Sequence, residues 1–152
     1  MVGCGYWGPN LIRNFNALED CEVKIVCDSS KERLDHMKQL YPEIGITMEY
    51  SDLLEDEEIN AIVIATPVFT HHPLAMKSLA AGKHTFIEKP LSDSVHHSQE
   101  LVNLANKKNL ILMVGHTFIY TPQVKKIKEI IDSGDIGDVM YISSRRDRKS
   151  VV

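Results

Sequence analysis

Three cysteines in 152 residues, Cys4, Cys21 and Cys27, are too few and too irregularly spaced to staple a fold or to cage zinc. Their odd number fits free thiols that fill space in a reducing cytoplasm. Apolar runs long enough to cross a bilayer are missing, which excludes a spanning helix. No positively charged stretch followed by an apolar one opens the chain, so a cytoplasmic location is expected. Basic surplus is also lacking. The net charge of -4 argues against nucleic acid as the main partner. Repeats and low-complexity segments are absent. What remains is an ordinary composition, 43% hydrophobic and 25% charged, in a chain long enough to bury a core.

The stretch that organises the chain is Gly3-Cys4-Gly5-Tyr6-Trp7-Gly8. It follows the stub of an apolar strand, Met1-Val2, and opens a helix carrying Leu11, Ile12, Phe15 and Leu18. Gly3 permits a tight turn, Gly5 a close approach of backbone to phosphate, and Gly8 the packing of helix on strand. Pro9 suits a first helical turn. The free N–H groups there favour a pyrophosphate. Downstream, the apolar run 23–27 ends at Asp28, about 20 residues beyond the glycines, where a carboxylate accepts hydrogen bonds from an adenosine ribose. Ser29 and Ser30 follow with no arginine adjacent, so NAD is expected in preference to NADP.

The rest alternates strand with helix about six times, the signature of a parallel sheet with helices on both faces. Ser29 to Glu32 has capping-box spacing before a helix stopped by Pro42. Ile44 to Met48 reads as a strand, and Ser51 as the cap of a brief acidic helix. Ala61 to Thr66 is apolar throughout, as a doubly buried strand should be. A helix follows from near Pro73 to Gly82, then a strand His84–Ile87. Ser92 or Ser94 caps the next helix, and Leu110 to Val114 is a sixth strand. Ligands bind beyond the carboxyl ends of such strands. Gly3 to Gly8, Asp28, Thr66-Pro67 and Glu88-Lys89-Pro90 all fall there. The expected fold is α/β, a Rossmann-type doubly wound parallel sheet over residues 1–119. Residues 120–152, with a helix from Pro122 and a strand from Asp138 to Ser144, read as the incomplete beginning of a second α/β domain.

These residues resemble a known family. Gly3 to Leu11, Ala65-Thr66-Pro67 with Thr70-His71, and Glu88-Lys89-Pro90 are similar to the Gfo/Idh/MocA oxidoreductases. Gly115-His116-Thr117-Phe118 and Pro122 resemble the branch acting on nucleotide-linked sugars. The resemblance implies a dehydrogenase that passes hydride between a sugar hydroxyl carbon and a nicotinamide, with self-association through the second domain. It implies Lys89 as the active-site lysine, flanked by Glu88 and Pro90. Tyr6, Trp7, Asp28, Ser29, Thr66, Pro67 and His71 would line the dinucleotide. His116 reads either as a substrate-facing residue or as a satisfied strand-end histidine, and Tyr120 either as a sugar contact or as packing ahead of a proline. An ammonium at that place can steady a developing alkoxide and join a proton relay. A chain without the rest of the second domain is expected to turn over slowly or not at all. A non-catalytic NAD-binding module is the alternative. Metal binding is not expected from the pairs His71-His72 and His96-His97, which diverge on their own helices. The basic run Arg145 to Lys149 reads as a solvated end.

Overall fold

A computed structural model describes residues 1–145 and divides the chain into two compact units, Met1–Gly115 and one beginning at His116. In the first unit β1 (Ile25–Cys27) pairs in parallel with β2 (Gly45–Thr47), Ile25 opposite Gly45. β3 (Ala61–Ile64), β4 (His84–Ile87) and β5 (Leu112–Val114) form a second parallel run. Val2 joins the two by bridging to Cys27 on one side and Ile64 on the other. Its N–H donates to the Val63 carbonyl and its own carbonyl accepts from Ala65. The stub Met1-Val2 is therefore the middle of the sheet, and the order is β2-β1-Val2-β3-β4-β5. A chain that starts centrally, fills one edge and then returns to fill the other is doubly wound.

The period-2 geometry of strands sorts side chains to two faces. Val26 faces Ile12 of α1 (Gly8–Asn16) and Leu34 and Met37 of α2 (Lys31–Leu40). Cys27, Ile62, Ile64 and Ile87 face the other way, onto Leu53 of α3 (Tyr50–Glu55), Ala75 and Leu79 of α4 (His71–Ala80), and Leu101 and Ala105 of α5 (Val95–Lys108). Ile62, Ile64, Leu79, Ile87 and Leu101 are wholly buried, each contributing about 1.5–3 kcal/mol of transfer free energy.

Local signals decide where elements start. α2 is capped by Ser30, whose Oγ accepts from Arg33 N–H, and not by Ser29 with Glu32. Asp28 Oδ1 accepts from Ser30 N–H and turns the chain one residue later than the capping-box reading. α3 begins after Glu49, so Ser51 lies inside it; Thr47 Oγ1 accepts from Glu49 N–H and sets the earlier start. α4 begins at His71, ahead of Pro73, because a 3-10 turn Val68–Thr70 leads into it. There Thr70 donates from both N–H and Oγ1 to the Pro67 carbonyl. Pro73 is tolerated in a first turn, where its missing N–H has no partner to lose. Ser94 is the cap of α5, accepting from His97 N–H at 3.1 Å.

The second unit holds a 3-10 turn, Thr117–Tyr120, and α6 (Pro122–Ser133), closed by Gly134 at φ 76°. The strand expected from Asp138 to Ser144 does not form. Its alternation is real, but a strand needs a hydrogen-bonded neighbour, and none pairs with it among the described residues. Met140, Tyr141 and Ile142 are each more than three-quarters exposed. Of the basic run, only Arg145 falls within the described residues. Among those residues no helix is long and apolar enough to cross a membrane.

Candidate active site

The glycine turn is held by backbone crowding. Gly3 has φ 92°, and a Cβ there would lie 2.8 Å from the Ala65 carbonyl oxygen. A Cβ on Gly8 would lie 2.3 Å from the Gly3 carbonyl oxygen. Gly8 thus lets α1 pack on the turn itself, where the sequence suggested packing on a strand. Gly5 differs: the nearest atom to a Cβ there would be Arg33 Nη1, at 4.0 Å. The space over Gly5 is open, as a backbone that receives a phosphate requires. Tyr6 and Trp7 are exposed and meet edge to face, centroids 5.5 Å apart. α1 starts immediately after, with Pro9 in its first turn, and offers its unpaired N–H groups to the same space.

Asp28 is buried at the end of β1. Its Oδ2 accepts from Cys4 N–H at 2.7 Å and its Oδ1 from Ser30 N–H at 2.8 Å. The carboxylate therefore ties the glycine turn to the start of α2, and each oxygen keeps a further lone pair. Cys4 packs inside the turn. Burial, with the Asp28 charge adding to it, pushes its thiol up to about 12, so it stays neutral and is no nucleophile. Arg33 corrects the sequence reading that no arginine accompanies the acid. One turn into α2, it folds back to place Nη1 3.8 Å from Asp28 Oδ2.

Thr66 and Pro67 follow β3, and Thr66 Oγ1 shares a hydrogen bond of 2.7 Å with Thr70 Oγ1. Glu88, after β4, donates its N–H to the Ile64 carbonyl, and Glu88 Oε2 accepts from Lys89 N–H. Gly115 makes room for that carboxylate, since a Cβ there would sit 3.1 Å from Glu88 Oε1. Lys89 is exposed, and its ammonium has no ion-pair partner among the described residues. The peptide joining it to Pro90 is cis.

One cleft of about 790 Å³ gathers these groups. Gly3, Gly5, Tyr6 and Trp7 line it at one place; Asp28, Ser29 and Arg33 at another; Thr66, Pro67 and Thr70 at a third; Glu88 and Lys89 close the series. Its volume lies within the range of small-molecule sites. Three expected contacts do not line it. Gly8 is buried under the turn. Pro90 is exposed outside it. His71 is 1% exposed, with Nδ1 2.8 Å from the Pro90 carbonyl and Nε2 2.9 Å from the Thr66 carbonyl. Its ring braces the two segments that carry Thr66 and Lys89, a role its position at a helix start did not reveal. Sequence reasoning also missed Met48, Phe69 and Leu74, apolar lining residues with no motif around them. His116 and Tyr120 belong to the second unit, both exposed.

Comparison with known proteins agrees with this fold. Residues 1–116 match the family GFO_IDH_MocA, described as an oxidoreductase family with an NAD-binding Rossmann fold. An uncharacterized oxidoreductase, YrbE, of Bacillus subtilis is 31% identical over 147 residues, 95% of this chain and 43% of its own length. Myo-inositol 2-dehydrogenase of Thermotoga maritima is 29% identical over 150 residues, 95% of this chain and 44% of its own. The crystal structure of GenD2, from gentamicin A biosynthesis, in complex with NAD superposes with a TM-score of 0.82 at 26% identity, covering 88% of this chain and 38% of that one. The chain spans less than half the length of these relatives.

Proposed function

The chain belongs to the Gfo/Idh/MocA oxidoreductase family, and from that premise we propose that it forms the dinucleotide half of a sugar dehydrogenase. The observation that carries this reading is that the glycine turn, Asp28 and Lys89 line a single cleft. A nicotinamide dinucleotide fits the residues present: the open space over Gly5 and the start of α1 suit a pyrophosphate, and the spare lone pairs of Asp28 suit ribose hydroxyls. When bound, the nicotinamide supplies the acceptor or donor of hydride.

The chain's own residues act on the oxygen. As the sugar carbon gives up hydride, its hydroxyl proton must leave. The Lys89 side chain gives one of its own protons to solvent, takes the hydroxyl proton in its place, and as an ammonium hydrogen-bonds the oxygen and steadies its developing negative charge. Glu88 fixes the Lys89 backbone, and His71 fixes Thr66 and Pro90 on either side. Tyr6 and Trp7 shield the cleft from water on the opposite flank. His116 and Tyr120 are the candidate substrate contacts, and residues 120–152 would begin the second domain that the family resemblance implies for substrate binding and self-association. The substrate is a sugar or cyclic polyol, nucleotide-linked by the resemblance of residues 115–118. The inositol dehydrogenase among the relatives supports a ring carrying several hydroxyls.

NAD is preferred to NADP because the buried Asp28 carboxylate repels a 2′-phosphate, while Arg33 offsets part of that repulsion. Arg33→Ala is expected to weaken NADP binding by about 10-fold and NAD binding by less than about 3-fold, read as two dissociation constants by calorimetry. The dehydrogenase reading itself is tested by adding NAD and then a panel of inositols, sugars and nucleotide-linked uronic acids, following reduced nicotinamide by absorbance. Slow substrate-dependent reduction is expected from this chain. Dinucleotide binding with no reduction by any member, in a protein extended to the length of its relatives, would instead leave a non-catalytic module.

A further inference from the structure

A second set of polar side chains meets where α4 and α5 begin. His72 lies in the first turn of α4; His97 and Glu100 lie in the first two turns of α5. The rings of His72 and His97 stack, centroids 4.1 Å apart and planes at 14°. His72 Nε2 is sealed from solvent and makes no hydrogen bond, although Glu100 Oε2 lies only 3.0 Å away. A nitrogen and a carboxylate oxygen that close, but misaligned for a proton between them, are spaced as two ligands of one cation. Metal–ligand distances of about 2.0–2.2 Å set tetrahedral neighbours roughly 3.3 Å apart. His97 supplies the third group. Its Nδ1 lies 2.7 Å from Asp93 Oδ1, a carboxylate partner that takes one ring nitrogen and leaves Nε2 for a ligand. One ligand atom from each of His72, His97 and Glu100 falls within 4.8 Å of the others.

We infer that His72, His97 and Glu100 form a binding site for a divalent transition metal of the zinc class. Two imidazoles and one carboxylate suit Zn²⁺, and poorly suit Mg²⁺ or Ca²⁺, which take oxygen ligands. Binding requires the His97 ring to leave the stack and turn toward Glu100, and its side chain, 38% exposed, has room to do so. His96 Nε2, 3.7 Å from Glu100 Oε1, or a water completes the fourth position. His71 and His72 point to different partners, the first to the Thr66 and Pro90 carbonyls and the second to Glu100. Convergence of the three ligands comes from packing α4 against α5, which brings His72 of one pair to His97 of the other. The site has a structural consequence. α5 follows the segment 88–94 that carries Lys89, and His71, the neighbour of His72 on α4, contacts the Pro90 carbonyl. A metal here ties the start of α5, which follows that segment, to α4, whose His71 meets the segment at Pro90.

The test is a Zn²⁺ titration of the chain at pH 7.5 in competition with a chromophoric chelator, paired with thermal unfolding. The expected result is about one equivalent bound with a dissociation constant on the order of 1–10 µM. Unfolding should shift up by a few °C at saturating zinc. The double variant His72→Gln/His97→Gln should lose both binding and shift, while Cys21→Ser, removing the most accessible thiol, keeps them. Glu100→Gln, a half-exposed change compatible with folding, should weaken binding at least about 10-fold and decides the matter if the double variant fails to fold. Binding weaker than about 1 mM, or binding undiminished in Glu100→Gln or in a folded double variant, would overturn the assignment.

Discussion

Gly8→Ala is expected to abolish dinucleotide binding and to destabilise the fold, whereas Gly5→Ala, three residues earlier, is expected to do only the first. The two glycines meet different surroundings. A Cβ at Gly8 would lie 2.3 Å from the Gly3 carbonyl oxygen, and the obstruction is backbone, which cannot swing aside. α1 must then lift from the turn. Gly3 cannot absorb the shift, because it is itself pressed on the Ala65 carbonyl at φ 92°. Overpacking of this kind costs about 1–3 kcal/mol, and it displaces the N–H groups that face the cleft. Affinity for the dinucleotide should fall by at least about 100-fold. At Gly5 the nearest atom to a new methyl is the far end of Arg33, at 4.0 Å. Gly5→Ala should therefore unfold within about 2 °C of the parent, yet bind at least about 10-fold more weakly, because the methyl occupies ligand space. Thermal unfolding and calorimetry on the two variants separate the roles. Equal loss of stability in both would contradict the distinction.

Lys89→Met carries the second large effect. Lys89 is exposed and without an ion-pair partner among the described residues, so its removal leaves the fold intact. Lys83 is the contrasting case: buried, it donates to the Asp56 carbonyl and is structural. Substrate-dependent hydride transfer should fall by about 10²–10⁴-fold in Lys89→Met, the usual contribution of a positioned acid–base group. Binding offers a readout independent of turnover. The oxidised ring is a cation and the reduced ring is neutral. Removing a neighbouring ammonium should favour the oxidised dinucleotide over the reduced one by on the order of 3- to 10-fold. Unchanged turnover together with an unchanged ratio would remove Lys89 from the reacting end of the cleft.

Much of this was legible in the sequence because it depends on local pattern. β4 occupies the expected His84–Ile87 to the residue, since an apolar run between Gly82 and the glutamate after it has no other reading. The glycine turn and its acid were legible because their spacing encodes strand, turn and helix in turn. What stayed hidden depends on three dimensions. Arg33 is five positions beyond Asp28, and only the first turn of α2 brings it back to the carboxylate. His71 reads as a cofactor contact by motif, yet burial commits both ring nitrogens to backbone carbonyls. The alternation from Val139 onward is a valid strand pattern without a paired neighbour among the described residues. Side-chain turns at Thr47 and Asp28 moved two helix starts that serine positions alone misplace.

Trp7 makes the most direct measurement possible. It is the single tryptophan of the chain, and it lines the cleft beside Gly5. Reduced dinucleotide absorbs where tryptophan emits, so titrating NADH while exciting Trp7 reports binding close to that cleft, and loss of the signal in Gly5→Ala ties it to the glycine turn. The expected result is saturable quenching of Trp7 with sensitised nicotinamide emission, at a dissociation constant on the order of 1–100 µM, and its loss in Gly5→Ala. Trp7 emission unchanged up to about 1 mM NADH would contradict a nicotinamide-binding cleft at the glycine turn.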